Sequence, residues 1–162
     1  MTIRAQLEFI RDALADWARD FGGLALVASD PLDALVRLQQ GPAKPVALAI
    51  FLGERPFSES SDRTFLVERT YQVALSRGTG LPATKSDSLM KETGARPAMY
   101  DLLESARDLI ANLVFPLGED EAEGAQPDPE AIPQALSIAL WSVADQQALD
   151  IFRIEFTIVT PR

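Results

Sequence analysis

The sequence predicts an α+β fold: a mainly antiparallel or mixed sheet of about four long strands, covered on one face by two long amphipathic helices. Three observations predict it. Two segments, 3–21 and 99–115, repeat apolar residues at helical spacing. Four segments, 46–52, 65–77, 134–143 and 151–160, read as strands. The strands fall into two neighbouring pairs suited to hairpins, and a helical stripe needs a sheet face to bury it.

Each element has its own reason. In 3–21, Ile3, Leu7, Ile10, Leu14, Trp17 and Phe21 recur at steps of four and three, with charges on the opposite face. Gly22 and Gly23 then stop the helix. Segment 24–28 is a short apolar run, read as a strand. Ser29-Asp30-Pro31 supplies a cap followed by Pro at the first helical position, so a short helix is expected over 31–40, ended by Gly41-Pro42.

Segment 46–52 (VALAIFL) is apolar throughout, the pattern of a central strand buried on both faces. Residues 54–63 read as a polar loop. In 65–77, Phe65, Val67, Tyr71, Val73 and Leu75 alternate with Glu68, Thr70, Gln72 and Ser76, which predicts a half-buried strand. Arg69 interrupts its apolar side, and is expected near a sheet edge or toward a partner.

Residues 78–97 have no clear period, and a stretch that long without one is usually functional or disordered. Segment 99–115 then carries Met99, Leu102, Leu103, Ala106, Leu109, Ile110, Leu113 and Val114 on one stripe, closed by Pro116 and Gly118. Segment 134–143 is apolar on both sides. A turn or bulge is expected at 145–147, and in 151–160 Phe152, Ile154, Phe156 and Ile158 point inward while Arg153, Glu155 and Thr157 point outward. The whole chain, 1–162, reads as one domain with long loops at about 78–97 and 116–133.

Composition narrows the chemistry. The 162 residues include no Cys and no His, which removes thiolate and imidazole mechanisms and the usual zinc and haem ligands. The net charge of −9 is unevenly placed. Residues 108–152 hold nine acids and no Lys or Arg. Such a chain lacks the clustered cations of a sequence-specific nucleic-acid binder. No run of about 20 apolar residues marks a membrane span.

Gly78-Thr79-Gly80 lacks the third Gly of a dinucleotide fingerprint, and Asp120, Glu121 and Glu123 lack the spacing of a calcium loop. No acid stands alone in an apolar segment, where burial would raise its pKa. The expectation is a non-enzymatic protein with no catalytic residues, cofactor or metal. Two charged groups stand out instead as candidate contact points: Lys85, Lys91 and Arg96 in the 78–97 loop, with Arg69, and the acids Glu119, Asp120, Glu121 and Glu123.

The organisation as a whole resembles a known family. An N-terminal amphipathic helix, a short apolar run and a small helix lead to PVALAIFLGERP and RTFLVERTYQVALSRG. A loop, the helix AMYDLLESARDLIANLVF, an acidic Pro/Gly spacer and the closing ALSIALWSVADQQALDIFRIEFTIV complete it. This order and hydrophobic pattern resemble the tail terminator, or tail completion, proteins of long-tailed bacteriophages and of phage-like particles. The resemblance spans nearly the whole chain and rests on pattern, with no invariant motif.

It implies a structural virion protein at the head-proximal end of the tail, assembled in the host cytoplasm. Such proteins form a homohexameric ring that caps the tail tube, stops its polymerisation and presents a surface to the head–tail connector. The partners implied are further copies of itself, the tail tube protein and the connector, with DNA only passing through the lumen and no membrane. Lys85, Lys91 and Arg96 would bridge subunits or adjacent rings, and Glu119, Asp120, Glu121 and Glu123 would line the lumen or meet a partner. Three alternatives stand beside it: another virion component, such as a connector or a baseplate-proximal completion protein; a non-viral ligand-binding or regulatory domain; and a small carboxylate hydrolase.

Overall fold

In the computed structural model, the described residues are 2–39, 44–57, 66–78, 89–90, 92, 97–115, 132–141 and 151–161. The chain order is α1 (Ile3–Arg19), β1 (Leu24–Val27), α2 (Pro31–Gln39), β2 (Val46–Pro56), β3 (Leu66–Ser76), α3 (Met99–Ala111), β4 (Gln134–Trp141) and β5 (Ile151–Pro161). The strands form one five-stranded sheet in the order β1-β2-β3-β5-β4. The expected hairpin pairs, β2 with β3 and β4 with β5, are antiparallel, and β3 joins them by pairing antiparallel with β5. β1 runs parallel to β2, so the sheet is mixed and has five strands rather than about four.

Local chemistry sets the helix ends. The Thr2 hydroxyl accepts the Ala5 N–H at 3.1 Å and caps α1. At the other end Gly22 N–H donates to the Arg19 carbonyl and Gly23 N–H to the Ala18 carbonyl, with Gly22 at φ 68°. This is a Schellman-type closure, which favours Gly at the left-handed position. Gly23 is required for a different reason. A Cβ there would lie 2.6 Å from the Pro45 carbonyl oxygen, the acceptor of the Leu24 N–H that starts the parallel pairing of β1 with β2. At α2, the Asp30 carboxylate accepts the Asp33 N–H, and Asp33 in turn accepts the Ser29 N–H. That backbone hydrogen bond holds the Asp33 carboxyl below its ordinary pKa.

The sheet has two differently covered faces. On one, Ala47, Ala49, Tyr71, Val73, Leu75, Phe152, Ile154, Phe156 and Ile158 pack against Ile10, Leu14 and Trp17 of α1 and Met99, Leu102, Ala106 and Ile110 of α3. This is the expected face, with two amphipathic helices on it. Trp17 is buried there, and its indole N–H donates to the Ser105 hydroxyl at 2.8 Å, tying α1 to α3. The apolar stripe runs past α3: Leu113 and Phe115 stay buried beyond the helix end.

Coverage of one face only is corrected by α2. Ala34 and Leu38 of α2 pack on the opposite face, over Val46, Leu48, Ile50, Ala74 and Ile151. The physical reason is the parallel β1–β2 pair: a connection between parallel strands must cross over one face of the sheet, and α2 is that connection. The polar loop expected at 54–63 also begins later, because β2 continues through Glu54, Arg55 and Pro56 paired with Arg69, Glu68 and Val67. The turn or bulge expected at 145–147 lies outside the described residues.

Candidate functional site

Arg69 is the one candidate residue of the sequence reading that falls among the described residues. It sits on the helix-covered face of β3, 5% exposed. Arg69 Nε donates to Glu54 Oε2 at 2.8 Å, and Arg69 Nη1 donates to Gln6 Oε1 at 3.0 Å. The Tyr71 hydroxyl donates to the same Gln6 oxygen at 2.5 Å. Gln6 comes from α1 and is itself 1% exposed. One helix and two strands are therefore pinned by a single polar cluster inside an apolar layer.

A register irregularity makes the cluster possible. Ala47, Ala49 and Phe51 of β2 face α1 and α3, and strict alternation would send Glu54 to the other face. The ladder shifts between Phe51 and Gly53, leaving Leu52 as the extra residue. Beyond the shift Glu54 stands opposite Arg69 and shares its face. The ion pair is thus a product of the bulge.

Burial pushes the Tyr71 phenol above its ordinary pKa, and the neighbouring Arg69 only partly opposes this. The ring packs between Phe51 and Phe156, with centroids 5.6 and 6.0 Å away. The chemistry of the cluster is positional. The guanidinium is neutralised by Glu54, the amide oxygen accepts twice, and the phenol stays protonated. Arg69, expected near an edge or toward a partner, is instead held inside the protomer on β3, the middle strand of the sheet.

The charged surface ladder of α1 is ordinary by comparison. Arg4–Glu8 and Asp16–Arg19 are solvated pairs at 3.0 and 2.9 Å. Exposed large apolar side chains are spread over the described residues, among them Leu24 and Leu26 on β1, Leu32 and Val36 on α2, Tyr100 on α3 and Ile138 on β4. Sequence reasoning did not single these out as contact residues. Their signal was there, since apolar runs with no charge mark both edge strands. Lys85, Lys91, Arg96, Glu119, Asp120, Glu121 and Glu123 lie outside the described residues.

Among the described residues, no helix is long and apolar enough to cross a membrane, and no group of three or more His, Cys, Asp or Glu side chains is placed to hold a metal ion. No family model matches the chain, and no curated protein matches it.

Proposed function

We propose that this protein is a structural virion component of the tail-terminator kind: a ring that caps a tail tube, stops its growth and joins it to the head connector. The observation that supports this most is the architecture itself. The eight elements whose order carried the resemblance form in that order, and the five strands among them make one sheet. The helix pair lies on one face of that sheet.

The charge distribution supports the same reading. The acidic surplus sits in one sector, 108–152, and the rest of the chain is nearly balanced. A ring threaded by DNA benefits from such a surplus, because like charge keeps the polyanion from adhering. The buried network around Arg69 is internal: Arg69 and Tyr71 bind Gln6 of α1, and Glu54 binds Arg69 between two strands.

The test uses tube growth. Tail tube protein from the same genome is polymerised in vitro with increasing amounts of this chain, and tube lengths are measured by negative-stain imaging. Tubes that shorten and end in a ring-like cap are expected. Tubes of unchanged length with bare ends overturn the proposal. Binding to connector rings with no effect on tubes points to the connector class instead.

A further inference from the structure

Among the described residues, the two strands at the rims of the sheet have the composition of interior strands. β1 reads LALV and β4 reads QALSIALW, with no charged residue and no Pro in either. Rim strands ordinarily carry charges or Pro, because their open backbone groups template pairing with another chain. Here the rims instead expose Leu24 at 51%, Leu26 at 42% and Ile138 at 37%.

The open groups on β1 can be named. The Leu24 N–H donates to the Pro45 carbonyl and the Ala28 N–H to the Ala49 carbonyl, each at 2.9 Å. In a parallel ladder both groups of one residue point the same way, and the next residue's point the opposite way. Ala25 and Val27 therefore turn their N–H and C=O groups away from β2.

We infer that copies of this protein join through the sheet, β4 of one protomer pairing antiparallel with β1 of the next. The inference rests on the ring reading above and names its contact. Strand polarity fits it. β1, β2 and β5 run one way, and β3 and β4 the other. A neighbour related by rotation about an axis along the strands brings a β4 antiparallel to β1, the pairing that is more stable per residue.

The contact is heterologous, so every open assembly keeps one free β1 rim and one free β4 rim at its ends until the ring closes. Both rims come from this chain, both are uncharged, and pairing them buries no unpaired charge. Face parity agrees as well. Register places Leu24 and Leu26 on the α2 side of the sheet together with Ser137 and Ala139. Ala25 and Val27 share the other side with Ile138. The irregularity between Gln134 and Ser137, with Ala135 at φ 49°, confines regular pairing to the C-terminal part of β4. β1 is four residues long, so each contact is short and assembly depends on concentration.

The chain has no Cys, so introduced thiols report without background. Leu24→Cys or Leu26→Cys is combined with Ser137→Cys or Ala139→Cys, sampling register in two-residue steps on one face. Directly opposed antiparallel residues lie about 4.5–5.5 Å apart at Cα, within disulfide reach. Single variants should stay unlinked. At least one double variant should give a disulfide ladder under mild oxidation, and mixing its two single variants should give linked dimers only.

A ring by mass with no ladder in any of the four pairings overturns the sheet contact and leaves the ring reading standing. Monomers with no ladder at any concentration overturn both. Leu26→Lys serves as a second measurement, because that side chain is already exposed and the substitution spares the core. It should raise the concentration needed for assembly by about tenfold or more. An unchanged midpoint contradicts the contact.

Discussion

Arg69 shows how far a single residue could be read from sequence. Its place as a charge on an otherwise apolar strand side is legible in the sequence, but that reading points to a sheet edge or another molecule, not to groups within the same chain. The partners were not visible. Glu54 reaches Arg69 only because the ladder slips by one residue at Leu52, and Gln6 only because α1 lies across this end of the sheet. Neither fact is carried by local periodicity.

The cluster predicts two outcomes. Replacing Arg69 with Ala takes one donor from the buried Gln6 oxygen and removes the pair with Glu54, whose side chain is 27% exposed and can turn to water, and should cost about 2 kcal/mol. Replacing Arg55 with Ala removes a guanidinium that is 73% exposed from its pair with Glu68, and should cost about 1 kcal/mol or less. Urea unfolding midpoints at constant slope measure both, and equal losses would contradict the assignment. Tyr71 supplies a pH test. Its folded pKa is raised by burial, so its contribution to stability is complete below the unfolded value of about 10 and is lost as pH rises beyond it. The unfolding free energy should fall above pH ~10 by up to about 1.4 kcal/mol per pH unit from this group, and less steeply in Tyr71→Phe. Parallel slopes in the two proteins would refute it.

At the scale of elements, patterning carried most of the fold. The long strands and the two amphipathic helices announce themselves by period, and their inward residues are those that the structure buries, Ile10, Leu14, Leu102, Ile110, Phe152, Ile154, Phe156 and Ile158 among them. What period cannot convey is pairing direction. The run 24–28 reads as a strand in either orientation, and only its parallel alignment with β2 sends α2 over the second face. Segment 134–143 is apolar on both sides, a pattern usual in strands covered on both faces, and β4 sits at a rim. That mismatch is the element-scale clue to a partner. The junction of α1 and β1 is testable through two glycines. Gly22→Ala meets no atom within 4 Å but must hold φ 68°, a strain of about 1–2 kcal/mol. Gly23→Ala drives a methyl group against the Pro45 carbonyl and should cost clearly more, because the β1–β2 pairing begins there. Thermal unfolding of the two variants compares them directly, and the reverse order would contradict the packing described.

For the whole molecule, the account joins an uneven charge to a sheet with two uncharged rims. The candidate residues in 78–97 and 119–123 were chosen from charge and loop length, and those signals say nothing about where a loop lands. The rims say more, because register fixes their direction, their faces and their open groups. A protein built to add to itself in one direction needs such unlike ends, whereas an isolated domain has reason to blunt them. The proposed ring is the property on which the rest depends. Its most direct test is solution mass by light scattering across protein and salt concentration, with negative-stain imaging of the same samples. The account predicts a concentration-dependent rise to a closed particle of about six subunits with an open lumen. A monomer, or a dimer that grows no further, across the whole range would contradict it.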